Sequence, residues 1–141
     1  RPMTAMMLDL DHFKRVNDTH GHAAGDAVIM EVASRISRKL RQVDIFGRYG
    51  GEEFAVLLVE VGCAEAADVA SRLCRAVAAE PVQTDAEPLP ITVSIGISEL
   101  VPTDSSLSAV LARADEALYR AKAGGRNRVE TAHSKVIEIR A

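Results

Sequence analysis

Apolar residues come along this chain in short blocks, and the spacing within each block switches between a strand period and a helix period. Residues 4–8 are a near-continuous apolar run that stops at Asp9, the pattern of a buried strand. Asp11 stands where an N-cap would open a short helix over 12–18. Residues 19–25, with two glycines and two histidines, read as a turn. Over 26–41, Val28, Ile29, Val32, Ala33, Ile36 and Leu40 recur at helical spacing, while Glu31, Arg35, Arg38 and Lys39 point away. Residues 44–49 and 53–59 read as two strands joined at Gly50-Gly51 in a hairpin. An alanine-rich helix is expected over 64–79, followed by a polar, proline-containing connection over 81–90 with room for a small irregular hairpin. In 91–98, Val93, Ile95 and Ile97 alternate with Thr92, Ser94 and Gly96, a strand with one apolar face. A last helix covers 106–123, with Gly124-Gly125 as its left-handed stop. Val129 and residues 136–139 supply one or two closing strands.

The resulting order is β-α-α-β-β-α-β-α-β. A central hairpin flanked by helical crossovers fits a ferredoxin-like α+β sandwich, with a mostly antiparallel sheet of about five strands. The 141 residues suit one domain. Hydrophobic residues at 48% and charged residues at 26% are a globular composition, and only 4% aromatics means a core of aliphatic side chains and alanine. A net charge of −3 argues against a general nucleic-acid binder, without excluding a basic pocket for one nucleotide. Cys63 and Cys74 lack metal-ligand spacing and read as small apolar residues in a reducing compartment. The longest apolar run, 54–59, is far too short to span a membrane. No signal peptide is evident, and a cytoplasmic location is expected.

Several polar residues raise a chemical question. Asp9 ends the first strand, and Glu52 and Glu53 sit at the hairpin tip. If the first strand lies beside the hairpin, these carboxylates converge. Two carboxylates on rigid strands, with room for water and phosphate oxygens, suit Mg²⁺. Gly50 and Gly51 let the turn take positive φ and let a ligand approach the backbone. The strand-to-helix turn at 9–14 offers backbone N–H groups to a phosphate, with Lys14 as a point charge. Asn17 and Asp26 flank the HGH turn, and an amide with a carboxylate can read guanine. Alone, each of these reads more plainly as a cap, a turn residue or a solvated charge. His20 and His22 lack further ligands at metal-site spacing. Lys122 and Arg126 straddle the Gly124-Gly125 stop, where cations are favourable in any case.

The segments DLDHFKRVND, GHAAGD, RYGGEEFAVLL, TVSIGIS and ADEALYRAKAGGRNRV together closely resemble the GGDEF family, the diguanylate cyclases. The resemblance runs from about Ala5 to Val129, with GGEEF as a variant that keeps a carboxylate at the metal-binding position. It implies a nucleotide-cyclase or palm-type sandwich. It also implies that two GTP condense to cyclic di-GMP with release of two pyrophosphates, in a homodimer holding one GTP per subunit. By this resemblance Asp9, Glu52 and the Leu10 carbonyl are the ligands of Mg²⁺, or of Mn²⁺ in its place. Glu52, Lys14 and Glu53 are the catalytic residues. Phe13, Lys14, Asn17, His22, Asp26, Gly50, Gly51, Lys122 and Arg126 bind the substrate. Arg41 and Asp44, in an RxxD motif, form an inhibitory site for the product, with Arg72 in support. The usual leading DxLTGLxNR helix is missing, so residues 1–141 are expected to be one domain of a longer regulated protein. That protein would carry an N-terminal sensor or receiver domain and could be membrane-anchored. The other class of function is a non-catalytic module that senses GTP or cyclic di-GMP. The intact GGEEF and Lys14 weigh against it.

Overall fold

In the computed structural model, residues 1–85 and 87–132 are described. The elements are β1 (Met3–Leu10), α1 (Phe13–His20), α2 (His22–Ser37), β2 (Ile45–Arg48), β3 (Glu53–Val59), α3 (Cys63–Ala78), β4 (Val93–Glu99), α4 (Leu107–Ala123) and β5 (Val129–Thr131). The expected closing strand at 136–139 lies outside the described residues.

The five strands form one sheet in the order β2-β3-β1-β4-β5. β1 runs antiparallel to β3 and to β4, and only β5 is parallel to its neighbour. The first four strands therefore reproduce the split βαβ arrangement expected from the hairpin and its crossovers. β1 is the central strand, which explains its unbroken apolar run: both of its faces are covered. Met6, Leu8 and Leu10 join Phe54, Val56, Leu58, Val93, Ile95 and Ile97 under α2 and α3. Met7, on the opposite face, packs with Ala114 and Leu118 of α4. β3 alternates between buried and half-buried positions as a period of two requires.

α4 lies very close to the sheet. A Cβ on Gly96 would stand 2.1 Å from the Ala114 carbonyl oxygen and 2.2 Å from the Leu118 nitrogen. Glycine is what lets the helix seat there. The seat fixes Lys122, one turn beyond Leu118, over the end of β1.

Some expectations are corrected. Asp11 is not an N-cap: α1 starts at Phe13 after His12, which takes φ 58° and makes no capping side-chain bond. The expected turn at 19–25 shrinks to Gly21, at φ 89°, and α2 starts at His22 because the alanines behind it are good helix formers. α2 stops at Ser37, short of Arg41. Gly50 and Gly51 do not have positive φ; among the described glycines only Gly21 and Gly125 do. The stop after α4 is therefore made by Gly125 at φ 127°, with Gly124 still right-handed. The connection over 81–90 does hold a small irregular pairing, Val82 with Leu89. Both cysteines are free.

Candidate active site

The site grows from the end of the central strand. Asp9 lies opposite Glu53 across the β1–β3 ladder, and the Leu10 N–H donates to the Glu52 carbonyl oxygen at 3.3 Å. This pairing brings the carboxyl groups of Asp9, Glu52 and Glu53 to one end of the sheet, as the hairpin reading required. The hairpin tip is held by its own backbone and by Arg48. The Tyr49 N–H donates to the Glu53 carbonyl oxygen at 2.8 Å, and Arg48 Nε donates to the Gly51 carbonyl oxygen at 3.1 Å.

A cavity of about 480 Å³ opens here, of the size that holds small ligands. Asp9, Leu10, Phe13, Lys14, Glu52, Lys122 and Arg126 line it, together with Asp11, His12, Arg15 and Asp18. Its wall is the strand-to-helix turn at the start of α1, whose free backbone N–H groups face an anion favourably. Lys14 reaches only Asp18, at 3.3 Å across one helical turn, and is otherwise exposed. Such a loosely held ammonium can turn to a ligand at little cost.

Asp9 is the unusual group. It is 4% exposed, and its Oδ2 accepts a short hydrogen bond from Lys122 Nζ. Its other oxygen, Oδ1, is buried with no partner among the described residues. Burial pushes the Asp9 carboxyl above its ordinary range, and the bond and charge of Lys122 offset part of that. Burial, then the nearby Asp9 charge, also raises Glu52 and Glu53. An orphaned carboxylate oxygen beside a second carboxylate is what a divalent cation would satisfy. The residues present therefore fit Mg²⁺ with two carboxylates; no group of three or more acidic, histidine or cysteine side chains arranged to hold a metal ion occurs among the described residues. The remaining ligands would be the Leu10 carbonyl, water and substrate.

Asp11 anchors this end of the sheet from beneath. Thr92 Oγ1 and Ser94 Oγ donate to its carboxylate at 2.6 and 2.7 Å, and the Asn127 N–H donates at 3.0 Å. One carboxylate thus ties β1, β4 and the turn after α4 together. The same bonds deliver Arg126, at φ 65°, to the cavity rim.

The other expected substrate residues stand apart from the cavity lining. Asn17, His22 and Asp26 lie along the α1–α2 junction. The Asn17 Oδ1 rests over Gly25, so close that a Cβ there would be 1.9 Å away. His22 and Asp26 are exposed, as are Gly50 and Gly51 at the hairpin tip. Arg15 and Asp18 were not anticipated. Asp18 follows Lys14 by four residues, so helical spacing could have placed it on the cavity side; Arg15, at the next residue, carries no such signal.

Arg41 and Asp44 form a second cluster. Arg41 Nη2 donates to Asp44 Oδ1 at 2.7 Å and to the Val59 carbonyl oxygen at 2.8 Å. Val59 is at the far end of β3 from Glu53, roughly 20 Å along the strand. Arg72 is exposed on α3.

A model of the family described as diguanylate cyclase, GGDEF domain, matches residues 1–128. The chain belongs to the GGDEF family. The diguanylate cyclase DgcP of Pseudomonas aeruginosa is 47% identical over 126 residues, covering 89% of this chain and 19% of that protein. The GGDEF domain of DgcB from Caulobacter crescentus, solved in complex with c-di-GMP, superposes with a TM-score of 0.89 at 41% identity. That match covers 94% of this chain and 79% of that one. An active GGEEF domain of a diguanylate cyclase from Vibrio cholerae gives a TM-score of 0.87 at 31% identity, covering 96% and 85%. The chain spans well under half the length of the curated relatives it matches. Within this GGDEF domain, no helix of the described residues is long and apolar enough to cross a membrane.

Proposed function

We propose that this GGDEF domain is the catalytic domain of a diguanylate cyclase, condensing two GTP into cyclic di-GMP. The observation that carries the proposal is Asp9. A buried carboxylate with one unpartnered oxygen shares a cavity with Glu52 and with four cations, Lys14, Arg15, Lys122 and Arg126.

Asp9, Glu52 and the Leu10 carbonyl would hold Mg²⁺, or Mn²⁺ in its place. A cation held there would supply Lewis-acid charge for the phosphate oxygens and for activation of a hydroxyl. The chain's own residues do the rest. The Phe13 and Lys14 N–H groups at the start of α1 receive phosphate oxygens. Lys14, with Lys122 and Arg126, neutralises the charge that grows on the pyrophosphate leaving group. Asn17 and Asp26 bind the guanine, with His22 beside them at the start of α2. Glu52, whose carboxyl is held above its ordinary range, takes up the 3′-OH proton directly or through water. Glu53 adds negative charge beside the metal site.

In each condensation a 3′-oxygen forms a bond to an α-phosphorus, the α–β bridging P–O bond breaks, and pyrophosphate leaves. Two such steps close the ring, so two GTP sites must face each other in a homodimer. Arg41, Asp44 and Arg72 would bind the product and restrain the enzyme. Gly50 and Gly51, lacking side chains, leave the hairpin tip open to the nucleotide. A domain N-terminal to this one would bring two copies together.

Incubation of the protein with GTP and Mg²⁺ should yield cyclic di-GMP and pyrophosphate, and Glu52→Ala should stop it. Tight GTP binding without turnover would instead mark a sensing module. Product formation unchanged by Glu52→Ala would overturn the mechanism.

A further inference from the structure

We propose that Lys122 is a resident counter-ion of the metal site. In the ligand-free protein its ammonium stands in for the divalent cation, and cation binding expels it toward the triphosphate. Only the second half of this rests on the cyclase reading.

The geometry carries the argument. Lys122 Nζ donates to Asp9 Oδ2, while Oδ1 of the same carboxylate has no partner. The Asp9 side chain is 6% exposed and that of Lys122 is 35% exposed, so the ammonium enters from the water side. A single positive charge cannot satisfy a site that also contains Glu52 and lies beside Glu53. Lys122 and a divalent cation cannot share Asp9 Oδ2, because two cations within a few ångströms repel strongly in a half-buried site. One must leave.

Only the side chain is free to leave. α4 is held against Gly96 by backbone contacts, and the turn after it is tied to Asp11 through the Asn127 N–H. The four-carbon stem of Lys122 can swing outward into the same cavity, which Lys14 and Arg126 already line. Without an anion, those two cations oppose the swing. With a triphosphate in the cavity, they and Lys122 gather on it. Metal and triphosphate binding are then coupled through one side chain.

The test removes the competitor. Lys122→Met should bind Mn²⁺ alone about tenfold more tightly than the parent, read from the EPR signal of free Mn²⁺. The same variant, at saturating Mn²⁺, should bind a GTP analogue with a methylene at the α–β bridge about tenfold more weakly. Opposite signs distinguish a counter-ion from a plain phosphate ligand or a structural lysine. A second measurement needs no variant: acetylation of Lys122 by acetic anhydride, followed by peptide mass spectrometry, should speed up when Mn²⁺ is added. Mn²⁺ binding no tighter in Lys122→Met, or acetylation unchanged by Mn²⁺ that does bind, would overturn the proposal and leave the cyclase reading standing. No Mn²⁺ binding by either protein, with or without the analogue, would remove the metal reading and this proposal together.

Discussion

Replacing Gly96 by alanine tests how α4 carries the site. The new Cβ would stand 2.1 Å from the Ala114 carbonyl oxygen, 2.2 Å from the Leu118 nitrogen and 2.8 Å from the Leu118 Cα. All three are backbone atoms, so no side-chain rotation relieves the overlap. Restoring ordinary contact requires α4 to lift by roughly 1 Å. The lift loosens Met7, Ala114 and Leu118, which form the small core under the helix. Overpacking costs about 1–3 kcal/mol, and a rigid backbone obstacle belongs at the upper end. Alanine recovers about 0.5–1 kcal/mol of the entropy that a strand glycine loses. The net loss is about 2 kcal/mol, or a melting temperature lower by roughly 8 °C for a domain of this size. Urea unfolding should show a lower midpoint with an unchanged slope. The lift also moves Lys122 and Arg126 out of reach of a triphosphate in the cavity, so cyclic di-GMP formation by the folded variant should fall roughly 100-fold. Gly47→Ala is the control, because a Cβ there meets nothing within 4 Å. It should leave both stability and turnover near those of the parent. A Gly96→Ala protein with the parent's midpoint, or with full turnover, would refute the reasoning.

The remaining predictions concern charge and position. Carboxyls held above their ordinary range bind protons more tightly in the folded chain, so Glu52 favours folding at low pH and that contribution is lost as pH rises above its ordinary 4.5. Glu52→Gln should therefore make the ligand-free protein more stable at neutral pH while abolishing turnover; a less stable variant in urea unfolding at pH 7 counts against this. Asp104 has the opposite sign: its hydrogen bonds from Arg113 hold it at about 2, and its contribution is lost as pH falls from 3.8 toward that value. Asp104→Asn should flatten the acid limb of the stability profile below pH 4, and an unchanged limb would contradict the assignment. Gly25→Ala pushes aside the end of the Asn17 side chain and sets the new Cβ 3.2 Å from Phe13 Cζ, so it should cost about 1 kcal/mol of stability, helix propensity offsetting part of the clash. It should weaken binding of a non-reactive GTP analogue about tenfold, as loss of one hydrogen bond implies; unchanged affinity would remove Asn17 from the guanine site. Arg41→Ala should relieve inhibition by added cyclic di-GMP without lowering the initial rate, and inhibition that persists would place the product elsewhere.

Much of the fold was legible because its signals are local. β3 could be read to the residue from its apolar run behind the Gly50-Gly51 turn, and α4 to within one residue from its period and the glycines behind it. The central position of β1 was also legible, since a run buried on both faces has few other places to go. Asp11 was misread because its partners are remote. Its sequence context is that of a cap, but Thr92, Ser94 and Asn127 lie more than eighty residues away. The convergence of Asp9 and Glu52 could be inferred once strand order was assumed. The Asp9–Lys122 pair could not, because it depends on how closely α4 approaches β4 at Gly96. Gly50 and Gly51 looked like residues needed for a left-handed turn, yet neither has positive φ and Arg48 holds the tip instead.

The distance between Asp9 and Lys122 along the chain has a consequence for biosynthesis. The two are 113 residues apart. At translation rates of about 5–20 residues per second, the acidic end of β1 emerges roughly 6 to 23 seconds before its counter-charge. β1 emerges equally early as an apolar segment whose partner β4 is not yet made. Until β3 and then β4 follow, the nascent chain exposes at least one open edge of a strand tipped by a carboxylate. That terminal charge, a proposed metal ligand in the folded protein, also discourages stacking of one nascent β1 on another. One carboxylate would thus serve twice, as a proposed ligand in the finished site and as a guard charge on the unfinished strand.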